Sequence, residues 1–207
     1  VATKLDRAQN GGFMNKIEAK DIQNRIRELE KEILKARNEL VELRRRRSGE
    51  KITDYLFDGI DGLKIRLSEL FGAHRELIVV HNMGQGCNYC TMWADGFNGV
   101  LDHIESRAAF VLVSPDDPET QRRFAESRDW RFKMISGKGT SFSKDMGYEI
   151  GGSRHMPGFS TFYKDGKGDI YRAANDYFGP GDPFCSVWHL FDLLPNGADG
   201  WQPKLRY

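Results

Sequence analysis

The chain has 207 residues, a net charge of +1, and 39% hydrophobic against 29% charged residues. That length suits one domain with an appendage, and an aromatic content of 12% excludes a disordered chain. The near-zero charge gives no global argument for nucleic acid or an anionic membrane as partner, and neither is expected; no apolar run approaches the roughly 20 residues that span a bilayer.

The charge is unevenly placed. Residues 1–50 carry a net +4 and the remainder a net −3. The first fifty residues hold no aromatic after Phe13 and no Gly between Gly12 and Gly49. Two zones follow: a helical arm over residues 1–50 and a Gly- and aromatic-rich globular part over residues 51–207. The chain opens on Val1 rather than Met, which leaves room for a preceding segment.

In the arm, apolar residues fall at Ile22, Ile26, Leu29, Ile33, Ala36, Leu40 and Leu43. The alternating steps of four and three form a heptad stripe. Asn15 with Glu18 reads as an N-cap and its capping-box acid. Asp21–Arg25 and Glu42–Arg46 are oriented (i, i+4) pairs, each contributing ~0.3 kcal/mol. Arg44 to Arg47 sit at the negative end of the helix dipole, and Ser48-Gly49 stops the helix, so one helix is predicted from Asn15 to Arg46. Its stripe needs cover, either from the parent domain or from a second copy. Closed two-fold pairing is the commonest solution for a self-complementary patch, so a homodimer through the arm is expected.

In the globular part, Tyr55–Asp58 and Leu63–Ile65 read as a small hairpin around Asp-Gly turns. Leu67–Phe71 is a helical turn closed by Gly72. Glu76–His81 is a nearly continuous apolar run, hence a buried strand. A Gly-rich turn then leads into Cys87-Asn88-Tyr89-Cys90 and a helix to about Glu105, interrupted by Gly96 and Gly99. Ala108–Val113 is a second buried strand, Pro118–Arg128 an amphipathic helix with Pro in its first turn, and Trp130–Ile135 a third strand. Gly158–Tyr163 and Asp169–Arg172 flank Asp165-Gly166-Lys167-Gly168 as a hairpin, and Val187–Leu194 forms a last helix. This order predicts an α/β fold with mixed strand directions.

Cys87 and Cys90 stand directly after a buried strand and at the start of a helix, the context of a redox pair. The free N–H groups and positive dipole end of the helix favour a thiolate on the first sulfur. The second sulfur, one turn deeper, can resolve a mixed disulfide. Two blander readings stay open: a structural metal site that adds Cys185 and His189, spaced C-x3-H, or a pair of inert buried thiols. Pro157 opens a predicted strand, and a cis Met156–Pro157 bond is expected there. His81, six residues before Cys87, is a candidate to take the proton of Cys90, or else a satisfied core histidine.

These features resemble the thioredoxin-like superfamily, in particular its longer peroxiredoxin-type members: Asp61-Gly62 and Leu67-Ser-Glu-Leu-Phe-Gly72 before the first core strand, then the CxxC, then Pro157 before a hairpin. A closer likeness extends over the arm. Glu30-Lys-Glu, Ala36-Arg-Asn, Leu77-Ile-Val-Val-His81 and Cys87-x-x-Cys90-x-x-Trp93-Ala-Asp-Gly-Phe97 are similar to a bacterial family long labelled a domain of unknown function and predicted to contain dithiol–disulfide oxidoreductases. The resemblance implies a thioredoxin-like mixed sheet flanked by helices with peroxiredoxin-type elaborations. It implies Cys87 as attacking thiol, Cys90 as resolving thiol and Pro157 as a cis-proline docking a substrate backbone. His81 stands where thioredoxins keep a buried acid.

The expected activity is therefore thiol–disulfide exchange with a protein or small-molecule disulfide or thiol, without a cofactor. Two alternatives remain. One is a thiol peroxidase on the same fold, against which stands Gly84 where such enzymes place a Thr three residues before the attacking Cys. The other is a non-enzymatic metal-binding or interaction module. Three cysteines, two of them in the motif, fit a reducing cytoplasm.

Overall fold

An uninterrupted helix of 31 residues, α1 (Lys16–Arg46), carries the heptad stripe. The computed structural model describes residues 16–207, with side chains from residue 19 onward; of the capping box expected at Asn15 and Glu18, Asn15 lies outside the described residues and the Glu18 side chain outside the described side chains. Along α1, Arg25 pairs with Glu28 and Glu32, and Arg45 with Glu42. These are exposed pairs, of little weight for stability. The large apolar members of the stripe are exposed, Ile33 most of all at 67%. The chain divides into two compact units between Arg47 and Ser48. The division falls ahead of residue 50 because β1 (Glu50–Lys51) already belongs to the sheet, where Glu50 pairs with Arg172.

The second unit is built on eight strands in the order β1-β10-β9-β4-β5-β6-β2-β3. Its centre is β4 (Glu76–His81), parallel to β5 (Ala109–Ser114) on one side and antiparallel to β9 (Gly158–Lys164) on the other. Beyond β5 lie β6 (Lys133–Ser136), parallel to it, and the hairpin of β2 (Leu56–Gly59) and β3 (Lys64–Arg66). Beyond β9 lies β10 (Ile170–Tyr177). Every residue of β5 is buried, as expected of a strand with neighbours and cover on both sides.

Side chains alternate across a strand, and the two faces of the sheet carry two cores. Leu77, Val79, Val111 and Val113 join Phe57, Phe71, Phe142, Tyr148 and Phe162 on one face. Val80, Phe110, Leu112 and Met134 join Trp93, Ala94, Leu101, Ala125 and Trp188 on the other. These last five lie on α2 (Asn88–Gly99), α3 (Leu101–Glu105), α4 (Pro118–Glu126) and α6 (Ser186–Phe191). Asp117 caps α4 by accepting from the Thr120 N–H at 2.9 Å, with Pro118 in the first turn.

Several segments differ from the sequence reading. The helix after the CxxC breaks at Val100, whose N–H turns back to the Phe97 carbonyl. The third strand starts at Lys133 rather than Trp130, because residues 130 and 131 bond to α2: the Trp130 indole donates to Asp95 and the Arg131 N–H to the Asn98 side chain. The polar stretch before β9 also forms a short helix, α5 (Phe142–Asp145), and a small hairpin of β7 (Glu149–Ile150) and β8 (Arg154–His155). No helix among the described residues is long and apolar enough to cross a membrane.

Candidate active site

β4 delivers the chain to the CxxC through the loop at residues 82–86. The Asn82 N–H continues the ladder by donating to the Val113 carbonyl, and its side-chain oxygen accepts from the Gly84 N–H at 2.7 Å. Asp116, two residues beyond the end of β5, accepts from the Gln85 N–H at 2.8 Å. The loop is thus fixed from both central strands before it reaches Cys87. Asp116 and Asn82 escaped the sequence reading. Asp116 lies 31 residues from Gln85, and nothing local marks it.

Cys87 is the N-cap residue of α2, with extended backbone (φ −95°, ψ 103°), and its sulfur accepts from the Cys90 N–H at 3.1 Å. Its carbonyl accepts from the Thr91 N–H and hydroxyl, both at 3.0 Å. A sulfur at this position meets N–H groups that have no partner within the helix. The Cys87 thiol is lowered from its ordinary 9.0 to about 7 by the neighbouring Cys90 thiol, which donates to it. Partial burial opposes that shift, and the N–H groups of Cys90 and Tyr89 add to it. Cys90 behaves oppositely. It is 3% exposed, and its partner sulfur and burial push its thiol well above the ordinary value. Both cysteines are free thiols, one accessible and acidic, the other enclosed and protonated.

This asymmetry has a measurable consequence. Alkylation of Cys87 by iodoacetamide should rise with pH around a midpoint of about 7, while Cys90 and Cys185, both shifted upward, react only in more alkaline solution or after unfolding. The reduced protein should also gain stability as pH rises through about 7 toward 9.0. The sign follows because the unfolded chain binds more protons than the folded one across that window. Cys87→Ser should flatten this part of the stability profile, and denaturant titrations at pH 6 and pH 9 would check it.

The other residues singled out from sequence fall elsewhere. His81 is 2% exposed. It stacks on Tyr148 at 3.7 Å and Phe142 at 5.4 Å, and its Nε2 lies 3.1 Å from the Ser160 hydroxyl. Alternation along β4 puts it with Leu77 and Val79, on the face opposite the one α2 covers. Burial, reinforced by Arg172, holds it neutral, well below the usual histidine range. Its contacts are those of a core histidine rather than of a base for Cys90.

The cis-proline expectation is overturned. Among the described residues no peptide bond is cis, so the Met156–Pro157 bond is trans. The segment is already extended and tied at both ends. The Met156 N–H donates to the Tyr148 carbonyl, and the Pro157 carbonyl accepts from the Phe178 N–H, continuing the β9–β10 ladder. A trans link advances the chain by the full Cα spacing that such a ladder uses. Pro157 therefore leads straight into β9 through a trans bond and is not a cis-proline docking site.

Cys185 is buried at the start of α6, whereas His189 is exposed and faces Asp192. Among the described residues no group of three or more His, Cys, Asp or Glu side chains could hold a metal ion. Gly84 has φ +103°, and a Cβ there would stand 3.0 Å from an Asp116 carboxylate oxygen. A threonine at this position is thus opposed by both backbone and space.

The family model described as "Bacterial protein of unknown function (DUF899)" matches residues 16–205. Over 121 residues, 58% of the chain, the sequence is 26% identical to a chloroplastic peroxiredoxin Q of Populus jackii and 24% identical to one of Gentiana triflora. The match spans only 56% and 55% of those two proteins. Among solved structures, the peroxidoxin BcpB of Mycobacterium tuberculosis superposes with a TM-score of 0.52 at 22% identity, over 63% of this chain and 84% of that one. The mitochondrial 2-Cys peroxiredoxin of Plasmodium falciparum gives a TM-score of 0.51 at 13% identity, over 64% and 83%. The globular unit has the thioredoxin-like fold in its peroxiredoxin-type form.

Proposed function

The chain belongs to the bacterial family of unknown function DUF899, and from that premise we propose that it is a thiol–disulfide oxidoreductase working through Cys87 and Cys90. The observation that carries this reading is the opposed character of the two thiols on one helix turn. Near neutral pH about half of Cys87 is thiolate, while Cys90 keeps its proton.

Cys87 Sγ attacks one sulfur of a substrate disulfide. That S–S bond breaks, the far sulfur leaves as a thiolate, and a mixed disulfide to Cys87 remains. The Cys90 thiol then gives its proton to solvent or to the departing thiolate and attacks Cys87 Sγ. The bond to the substrate breaks, and two electrons have passed from the dithiol to the substrate. The reverse sequence oxidises a substrate dithiol. Once Cys87 is in a mixed disulfide, its sulfur is no longer a thiolate that accepts the Cys90 S–H hydrogen bond and holds that thiol up, so Cys90 is freed to ionise for the second attack only after the first.

The test is a trapping experiment. Cys90→Ser should accumulate a mixed disulfide through Cys87 with a model protein disulfide, visible as a mass increase that dithiothreitol reverses, whereas Cys87→Ser should accumulate none. Trapping through Cys90 in a Cys87→Ser variant would reverse the roles, and no trapping in either would end the reading.

The sequence likeness to the peroxiredoxin Q proteins favours a second reading, a thiol peroxidase with Cys87 attacking peroxide oxygen. Gly84 weighs against it. Turnover of hydrogen peroxide against turnover of a protein disulfide, each with the same reductant, decides between the two.

A further inference from the structure

We infer that α1 pairs with α1 of a second copy as a parallel, in-register, two-stranded coiled coil, so that both chains leave the coil at the same end. The inference does not depend on the redox chemistry proposed above. The stripe supplies the first ground. Ile26, Ile33 and Leu40 occupy one core position of the heptad, a, and Ile22, Leu29, Ala36 and Leu43 the other, d. The six large members are between 42% and 67% exposed. A helix interior free of Gly and Pro presents this seam over three heptads, about the length at which such pairing becomes stable. β-Branched residues at a with Leu at d favour two parallel strands.

Charge supplies the second ground and selects the occupant. In a parallel pair each residue just before a, the g position, faces the residue just after d, the e position, in the next heptad of the partner. Here Arg25 would face Glu30, Glu32 would face Arg37, and Glu39 would face Arg44. All three pairs are attractive and each occurs twice by symmetry. Antiparallel pairing would set the g rows against each other, with Glu32 beside Glu39. The seam is therefore complementary to itself in one orientation, which identifies its partner as another copy of this chain. Parallel pairing also brings both Arg46 ends together, and the chain enters its sheet at Glu50, four residues on.

Charge swaps on the full-length protein test this without touching the core. By sedimentation equilibrium at tens of micromolar, the wild type should run at twice its 23.7 kDa chain mass. Glu32→Lys alone turns both Glu32–Arg37 contacts repulsive, and so does Arg37→Glu alone. Each should weaken the dimer by about tenfold, from the usual worth of such pairs. An equimolar mixture of the two variants should recover association, because the lysine introduced in one chain then meets the glutamate introduced in the other. Recovery in the mixture requires the two positions to face each other across chains. A wild type that sediments as a monomer overturns the inference and returns the stripe to an intramolecular cover. A dimer whose mixed variants associate no better than each alone overturns the parallel register.

Discussion

Cys87→Ser should reduce disulfide exchange by at least about a hundredfold near pH 7 while leaving the fold intact. Only a thiolate attacks a disulfide at a useful rate, and the serine hydroxyl supplies none. The two remaining cysteines cannot stand in. Cys90 is enclosed and its thiol is raised by burial, and Cys185 is buried with a raised thiol of its own. At its ordinary 9.0 or above, a thiol is ionised to about 1% at pH 7, against about half for Cys87. Serine is also the right probe of structure. Cys87 caps α2 by accepting the Cys90 N–H, and a serine oxygen fills that role as well as any side chain. Cys87→Ala would lose the cap as well, at a cost of about 1 kcal/mol, and would mix a stability effect into the kinetics. Exchange with a model disulfide, alongside a thermal melt of the same sample, measures both. An active Cys87→Ser protein would remove Cys87 from the chemistry.

Much of this site was legible in the sequence because its signals are local. The apolar run Leu77–Val80 is short and rich in β-branched residues, which favours a strand buried on both faces. A CxxC just beyond its end, after Gly84 and Gly86, can only enter a helix from a tight turn. What the sequence hid depends on contacts distant along the chain. Asp116 holds Gln85 from 31 residues away. Trp130 and Arg131 look like strand residues, but Asp95 and Asn98 on α2 claim them. β10 runs to Tyr177 although Ala173-Ala-Asn-Asp176 shows no apolar alternation, since a bulge between Arg172 and Ala174 breaks the period. His81 shows the difference most clearly. Its spacing from Cys87 suggests a proton relay, yet the facing environment comes from Tyr148, Phe142 and Ser160, contributed by α5, β9 and the turn between α5 and β7, none of which is adjacent in sequence.

That same neighbourhood predicts the largest structural effect. Gly158→Ala should destabilise the protein by about 3 kcal/mol, the upper end for overpacking a rigid site. Gly158 is the first residue of β9, paired with His81 on one side and Tyr177 on the other. A Cβ there would stand 2.6 Å from a ring carbon of Tyr148 and 3.0 Å from the Tyr177 Cα, and would press on the Asp176 carbonyl oxygen as well. None of these neighbours is the free end of a flexible chain. The Tyr148 ring is 1% exposed and stacks on His81, and its one hydroxyl proton is shared between the Phe159 and Asp176 carbonyl oxygens at 2.6 and 2.9 Å. Moving the ring breaks this shared hydrogen bond, and moving the backbone breaks the ladder that Pro157 and Phe178 continue. For a chain of this size, about 3 kcal/mol corresponds to a melting temperature lower by about 6–12 °C. Gly166→Ala is the control. It sits in the β9–β10 turn with nothing within 4 Å of the added methyl, and should stay within about 0.5 kcal/mol of wild type. If Gly158→Ala melts with the control, β9 can shift against β4 at low cost, and the rigid seat described for Tyr148 and His81 is wrong.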